Sequence, residues 1–362
     1  MHRGTPAALA AATLALASAA SAQVTNLLPG YTATEVALPE PPTGSVAADP
    51  RRSDSFYVSA GFFGDTRIYR LTFGPGSATS ARLVANGVEP LAPGRFLPRM
   101  DNVLDSGFGS VWFTSNRLGD LLVVDNDLGL GGASSGEGVF LLRDYNRDGD
   151  FLDIVNRRPE ASRVIGDPIA TTGGNFTGSG IAVGASSWLV PTSDGPGAGE
   201  VLSVFIGGGK GQRVYYSPLD FASGIVADPQ GRVLVGNTDG TFAAGSITYL
   251  TDANGDGDAL DPGESQVVPT PPIYDLAQTG AGATYRLAAS TNGFPPAVQF
   301  VNADGSLTKL ADLSVFATGI AFDSSTRSFQ PGSGPNGKRL LLTDLNSSTF
   351  AGQLHVITPS AP

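Results

Sequence analysis

Short apolar runs rich in Val, Ile, Leu, Phe and Thr recur along the chain, each closed by a cluster of Gly, Asp, Asn, Ser or Pro. Runs of this kind are strand signals, because β-branched and aromatic side chains suit a pleated surface better than a helix. Four of them share a local pattern: Gly44-Ser45-Val46-Ala47-Ala48-Asp49, Ser179-Gly180-Ile181-Ala182-Val183, Ser223-Gly224-Ile225-Val226-Ala227-Asp228 and Thr318-Gly319-Ile320-Ala321-Phe322-Asp323. Aligned on Val46, Ile181, Ile225 and Ile320, they lie 135, 44 and 95 residues apart. The middle interval is one unit, the last is about two, and the first is two if one unit is enlarged. A unit of roughly 45 residues with four strands is the period of a β-propeller.

On that period the strands of a first blade fall at residues 45–48, 56–59, 67–73 and 81–85, and of a second at 110–114, 121–125, 139–143 and 162–165. The third takes 180–183, 188–191, 201–205 and 213–216, and the fourth 224–227, 233–236, 246–250 and 266–269. The fifth is less regular, with 284–288, 297–301 and 307–310 as its better strands. The sixth has 319–322, 339–343 and 353–357 and lacks a fourth strand. Residues 34–38 precede the first blade and have no other home, so they are expected to supply it. The expected fold is an all-β, six-bladed β-propeller closed by an N-terminal strand that completes the last blade, with seven blades as the alternative. Closure removes sheet edges that would otherwise pair with other chains.

Composition agrees: 48 Gly and 26 Pro leave little room for long helices. The N-terminus changes the picture more. Met1-His2-Arg3 is a basic start, the stretch from Pro6 to Ala19 is an Ala/Leu run, and Ala20-Ser21-Ala22 is a small-x-small cleavage signal. Residues 1–22 are therefore expected to be a secretory signal and 23–362 a single propeller domain, secreted or periplasmic, without membrane insertion. With no Cys there are no disulfides and no thiolate chemistry. A formal charge of −11 without a basic cluster argues against a nucleic-acid partner.

The densest chemistry is a ten-residue pattern that occurs twice, Asp-x-Asn-x-Asp-Gly-Asp-x-x-Asp. One copy supplies Asp144, Asn146, Asp148, Asp150 and Asp153, the other Asp252, Asn254, Asp256, Asp258 and Asp261. Oxygen ligands at positions 1, 3 and 5 with Gly at 6 are what a short loop offers Ca²⁺. Position 12, where an EF-hand has a bidentate Glu, is Val155 or Gly263, so Asp153 or Asp261 is expected to close the site, with Glu264 helping in the second copy. The flanks read as strands, and each loop joins the third strand of a blade to the fourth. Two structural Ca²⁺ ions are the expected cofactors.

The unit Gly224-Ile225-Val226-Ala227-Asp228-Pro229-Gln230-Gly231-Arg232-Val233-Leu234-Val235-Gly236-Asn237 and the stretch Arg339-Leu340-Leu341-Leu342-Thr343-Asp344 resemble blades of the NHL and gluconolactonase-like propellers. The resemblance covers most of residues 44–358 and speaks for fold more than activity. In a four-stranded blade the loops between second and third strands share a face with the loops between blades, at the mouth of the channel. Here they hold Asp125, Asn126, Asp127, Asp194, Asn237, Asp239, Asp344 and Asn346. The resemblance implies that such a ring holds a third divalent metal, which would polarise a lactone or ester carbonyl. The bland reading is that Asp and Asn are ordinary turn formers.

Other catalytic patterns fare badly. Gly132-Ala133-Ser134-Ser135-Gly136 lacks a strand–turn–helix context, Gly207-Gly208-Gly209-Lys210-Gly211 lacks phosphate-loop spacing, and His355 is the only His beyond the signal. Phe62, Phe63, Phe242 and Phe350 lie in channel-face loops, where they would grip a ligand or fold over the blades. The expected function is a binding or scaffold module for a small molecule, glycan or protein on the channel face. The alternative is a metal-dependent lactonase or esterase.

Overall fold

Each four-strand unit of the sequence folds into one antiparallel sheet, and the sheets follow one another around a ring. The computed structural model describes residues 24–60, 67–74, 78–86, 110–116, 118–126, 138–156, 158–165, 175–176, 180–182, 187–193, 196–205, 211–241, 243–279, 286–291, 295–302, 304–323, 329–332, 338–346 and 351–361. Blade 1 is Pro42–Ala48, Ser55–Ala60, Arg67–Phe73 and Ala78–Asn86, from axis to rim. Blade 2 is Ser110–Ser115, Leu121–Asn126, Gly138–Leu142 and Ala161–Ile165. Blade 3 has Ile181–Ala182, Ser187–Ser193, Gly199–Phe205 and Gly211–Leu219, with Asn175–Phe176 also paired to its second strand. Blade 4 is Phe221–Ala227, Val233–Thr238, Gly245–Leu250 and Ser265–Thr270. Blade 5 is Ile273–Thr279, Arg286–Thr291, Ala297–Val301 and Leu307–Leu313, and Val24–Thr25 adds a fifth strand at its rim. Blade 6 is Phe316–Phe322, Leu340–Asn346 and Ala351–Pro359, completed by Tyr31–Val36.

The protein is thus an all-β, six-bladed propeller whose last blade takes its outer strand from the N-terminal side of the chain, in register from Tyr31 opposite Pro359 to Val36 opposite Leu354. Residues 1–22, expected to be a signal, and the aromatic residues Phe62, Phe63, Phe242 and Phe350 lie outside the described residues. Among those described, no helix is long and apolar enough to cross a membrane.

The core is not one cluster but six, each lying between neighbouring blades. Tyr57, Ile68 and Val84 of blade 1 meet Leu121, Val123 and Phe140 of blade 2, whereas Phe56, Val58 and Leu71 on its other face meet Leu341, Leu354 and Val356 of blade 6. A blade buried on both faces explains why Phe56-Tyr57-Val58 and Leu340-Leu341-Leu342 are continuous apolar runs rather than alternating ones. Near the axis the inner strands crowd. A Cβ on Gly224 would sit 2.5 Å from the Cα of Asp275 in the next blade, and one on Gly319 would sit 2.9 Å from the Gly44 carbonyl oxygen. The recurring Gly of the sequence repeat is therefore a packing requirement at the ring centre.

The repeat's Asp has its own role. Asp228 Oδ1 accepts the N–H groups of Gln230 and Arg232, both at 2.9 Å, and Asp49 Oδ1 accepts that of Arg51 at 2.9 Å. Each closes the turn from inner to second strand, the ordinary work of an Asx side chain.

Candidate functional site

Both Asp/Asn loops run from the third strand of a blade to its outer strand, in blades 2 and 4, on the end of the ring opposite the channel face. In the first, Asp144 Oδ2 accepts the Gly149 N–H at 3.0 Å, Asn146 Oδ1 that of Asp148 at 3.0 Å, and Asp148 Oδ1 that of Asp150 at 3.1 Å. Asp150 Oδ1 caps Leu152 N–H at 3.1 Å, and Asn146 Nδ2 donates to Asp153 Oδ2 at 2.6 Å. The second loop repeats every one of these bonds: Asp252 to Gly257 at 3.0 Å, Asn254 to Asp256 at 2.9 Å, Asp256 to Asp258 at 3.2 Å, Asp258 to Leu260 at 3.1 Å, and Asn254 to Asp261 at 2.6 Å. Gly149 and Gly257 take φ of 92° and 94°, which the sharp reversal at position 6 requires.

The loops share a further residue: Glu264, expected to help close the second site, has an equivalent in the first that spacing from the motif start had hidden. Glu264 accepts the N–H groups of Ala253 at 2.9 Å, Asn254 at 3.3 Å and Asp261 at 3.2 Å. Glu160 does the same for Tyr145 at 2.8 Å, Asn146 at 3.4 Å and Asp153 at 3.2 Å. Both are buried, at 4% and 1% exposure, and burial pushes the Glu160 carboxyl up against the pull of its three backbone donors. A small hairpin, Ile154–Val155 against Arg158–Pro159, separates Asp153 from Glu160 in the first loop only. Counting back from the outer strand reveals the equivalence, since Glu160 and Glu264 each stand immediately before it. These glutamates brace the backbone from beneath, which leaves the carboxylates of positions 1, 5 and 10 to a cation.

Oxygens of Asp148, Asp150 and Asp153 lie within 4.8 Å of one another, but Asp150 Oδ2 is already paired with Arg82 Nη2 at 2.5 Å, which leaves Asp148 and Asp153 of the three to an ion. The decisive group is Asp144. Its side chain is 2% exposed, Oδ2 is 3.6 Å from Arg51 Nη1, and Oδ1 is buried without any hydrogen-bond donor. A buried carboxylate oxygen left without a partner costs more than it returns, unless a cation meets it. The chemistry of the set, hard oxygens alone, fits an alkaline-earth ion.

The channel face reads differently. Asn237 Oδ1 accepts the Asp220 N–H at 3.0 Å and holds the strand entering blade 4. Asp239 folds into its own hairpin, accepting from Thr241 N–H at 3.2 Å and Ala243 N–H at 3.0 Å. Asp344 is buried; Oδ1 accepts the Gln353 N–H at 2.9 Å and Oδ2 is 2.7 Å from His355 Nε2. The three share no partner. Asp125 and Asn126 end the second strand of blade 2 and Asn346 that of blade 6; their side chains, and Asp127 and Asp194, lie outside the described residues.

No protein-family model and no curated protein matches the chain. Solved structures do. A gluconolactonase from Xanthomonas campestris is 11% identical, covering 95% of this chain and 98% of its own with a TM-score of 0.55. A protein described as a putative gluconolactonase is 14% identical over 92% and 94%, TM-score 0.53. What the likeness shows is the shared β-propeller fold. AofleA from Arthrobotrys oligospora is 9% identical over 91% and 87%, with a TM-score of 0.52. An auxiliary nutrient binding protein from Bacteroides thetaiotaomicron, 8% identical over 88% and 69%, has a TM-score of 0.50. At such identities the likeness is one of architecture, and a propeller's chemistry resides in its loops.

Proposed function

We propose that this protein is an exported propeller that binds two Ca²⁺ ions, one in each Asp/Asn loop, and serves as a binding or scaffold module through its channel face. The observation that carries the calcium assignment is the Asp144 carboxylate, buried with one oxygen unpartnered inside a loop of further carboxylates. The position-7 side chains, Asp150 and Asp258, are occupied in capping Leu152 and Leu260, which is consistent with that position giving its main-chain carbonyl to the ion. The binding reading draws on Asn237, Asp239 and Asp344 each bonding its own local partner, with no partner shared among the described residues. The second reading, a metal-dependent lactonase or esterase, draws on the likeness to gluconolactonases and needs a third ion at that face.

Calorimetric titration of the metal-stripped full chain with calcium, alongside thermal unfolding, tests the proposal. The expected result is two sites and a large rise in Tm, because an ion that binds only the folded state stabilises it. A third site that leaves Tm nearly unmoved would favour the hydrolase, and activity against lactones and esters would then decide. Absence of binding would overturn the calcium assignment.

A further inference from the structure

Both loops reach beyond their own blade, and in the same way. The residue at position 8 donates its N–H to the outer strand of the preceding blade: Phe151 to the Val84 carbonyl and Ala259 to the Tyr215 carbonyl, each at 2.8 Å. Two residues before each acceptor stands an arginine that returns to the loop's main chain. Arg82 Nη1 donates to the Asp148 carbonyl at 3.1 Å, and Arg213 donates to the carbonyls of Asp256 and Gly257. Arg70 of blade 1 adds a bond to the Gly149 carbonyl at 2.8 Å. Phe151 and Ala259 are each 1% exposed and belong to the apolar clusters between blades 1 and 2 and between blades 3 and 4.

The seam between blades 5 and 6 has a counterpart without an acidic loop. Leu28, just before the outer strand of blade 6, donates its N–H to the Leu310 carbonyl in the outer strand of blade 5 at 2.7 Å. Leu27 and Leu28 pack on the cluster between those blades, and Asn26 Nδ2 binds Asp312 Oδ2 at 2.7 Å. Blades 1, 3 and 5 connect third strand to outer strand through residues 74–77, 206–210 and 302–306, stretches of four or five residues. Among the described residues, three seams (1–2, 3–4 and 5–6) are thus joined at the rim by a main-chain N–H from the segment that leads into the second blade's outer strand.

We propose that the two acidic loops are calcium-set clasps: the ion fixes the backbone at positions 5 to 8, and thereby locks blade 1 to blade 2 and blade 3 to blade 4. The third pair is clasped by the N-terminal segment and needs no ion. This rests on the calcium reading above, because without the ion the neighbouring carboxylates of each loop repel and loosen the segment that carries the clasping N–H.

Amide hydrogen exchange on the full chain, metal-stripped and calcium-saturated, tests it with a built-in control. Calcium should slow exchange about tenfold or more at Phe151 and Ala259, and in the partner strands Ala78–Asn86 and Gly211–Leu219, while Leu28 is unchanged. Arg213→Ala, whose guanidinium touches only main-chain oxygens of the loop, should keep calcium binding and lose the protection of Gly211–Leu219. Calcium that binds by calorimetry but protects only residues within the loops would overturn the clasp and leave the calcium sites standing. No calorimetric binding would instead overturn the calcium sites themselves.

Discussion

Asp275 is a carboxylate placed where the fold would be better served by its neutral form. It follows the bulge in the inner strand of blade 5, its Oδ2 accepts the Ile320 N–H of blade 6 at 2.8 Å, and its Oδ1 accepts the Leu276 N–H at 2.8 Å. Burial pushes its pKa up to about 7, and the two backbone donors only partly offset that. The unfolded chain ionises near the ordinary value of 3.8, so folding takes up a proton between those two pH values. The contribution to stability is full below about pH 4 and lost as pH rises through 7. At constant calcium, denaturant unfolding from pH 5 to pH 8 should cost the wild type about 2–3 kcal/mol more than it costs Asp275→Asn. Equal slopes would mean that the carboxyl is ionised throughout. Nothing in the sequence marked Asp275, because its effect comes from the strand of another blade closing over it. Glu160 was hidden for a related reason, its role set by contact with residues 145, 146 and 153 rather than by a motif position.

At the scale of elements, the two loops are one structure in two lengths. Glu160 N–H bonds the Asp153 carbonyl at 3.0 Å and Glu264 N–H bonds the Asp261 carbonyl at 3.1 Å, so the hairpin between Asp153 and Glu160 is closed at its neck. An excursion closed in this way contributes little to the frame it leaves. Deleting residues 155–158 gives the first loop the length of the second and should leave two calcium sites by calorimetry, with Tm within a few degrees of the parent. Loss of the first site would show that the hairpin holds the loop. The strands themselves were largely legible, since punctuation by Gly, Asp and Pro located the second and third strands of most blades to within one or two residues. The inner strand Ile273–Thr279 was not. It opens directly after Pro271-Pro272, and Asp275, Gln278 and Thr279 break up its apolar residues Ile273, Leu276 and Ala277, so no continuous or alternating apolar run marks it.

The ring as a whole is closed by a segment far from its partner in sequence, and closure was legible because the last unit lacked a strand while residues 34–38 had no blade. The segment's second function, spanning blades 5 and 6 before it pairs, was not, since Val24–Thr25 is too short to carry a strand signal. The contacts there are substantial. Tyr31 stacks on Phe329 with ring centroids 5.2 Å apart and donates its hydroxyl to the Phe329 carbonyl at 3.1 Å, and Leu27, Leu28 and Ala33 complete the cluster. At about 1.5–3 kcal/mol for a large apolar side chain fully buried, Tyr31 and the half-buried Leu28 together represent on the order of 3 kcal/mol, a sizeable share of a domain's net stability. Removal of residues 23–36 would also leave Ala351–Pro359 as an unpaired edge of nine residues. A chain beginning at residue 37 should therefore aggregate or fail to melt cooperatively, whereas one beginning at residue 23 should melt as the full chain does. Co-expression of residues 23–38 as a separate peptide should restore solubility by pairing with that edge, as strand addition does elsewhere. A soluble, monomeric product starting at residue 37 with unchanged Tm would mean that the ring holds through its six apolar seams alone, with the terminal strand an ornament on a structure already closed.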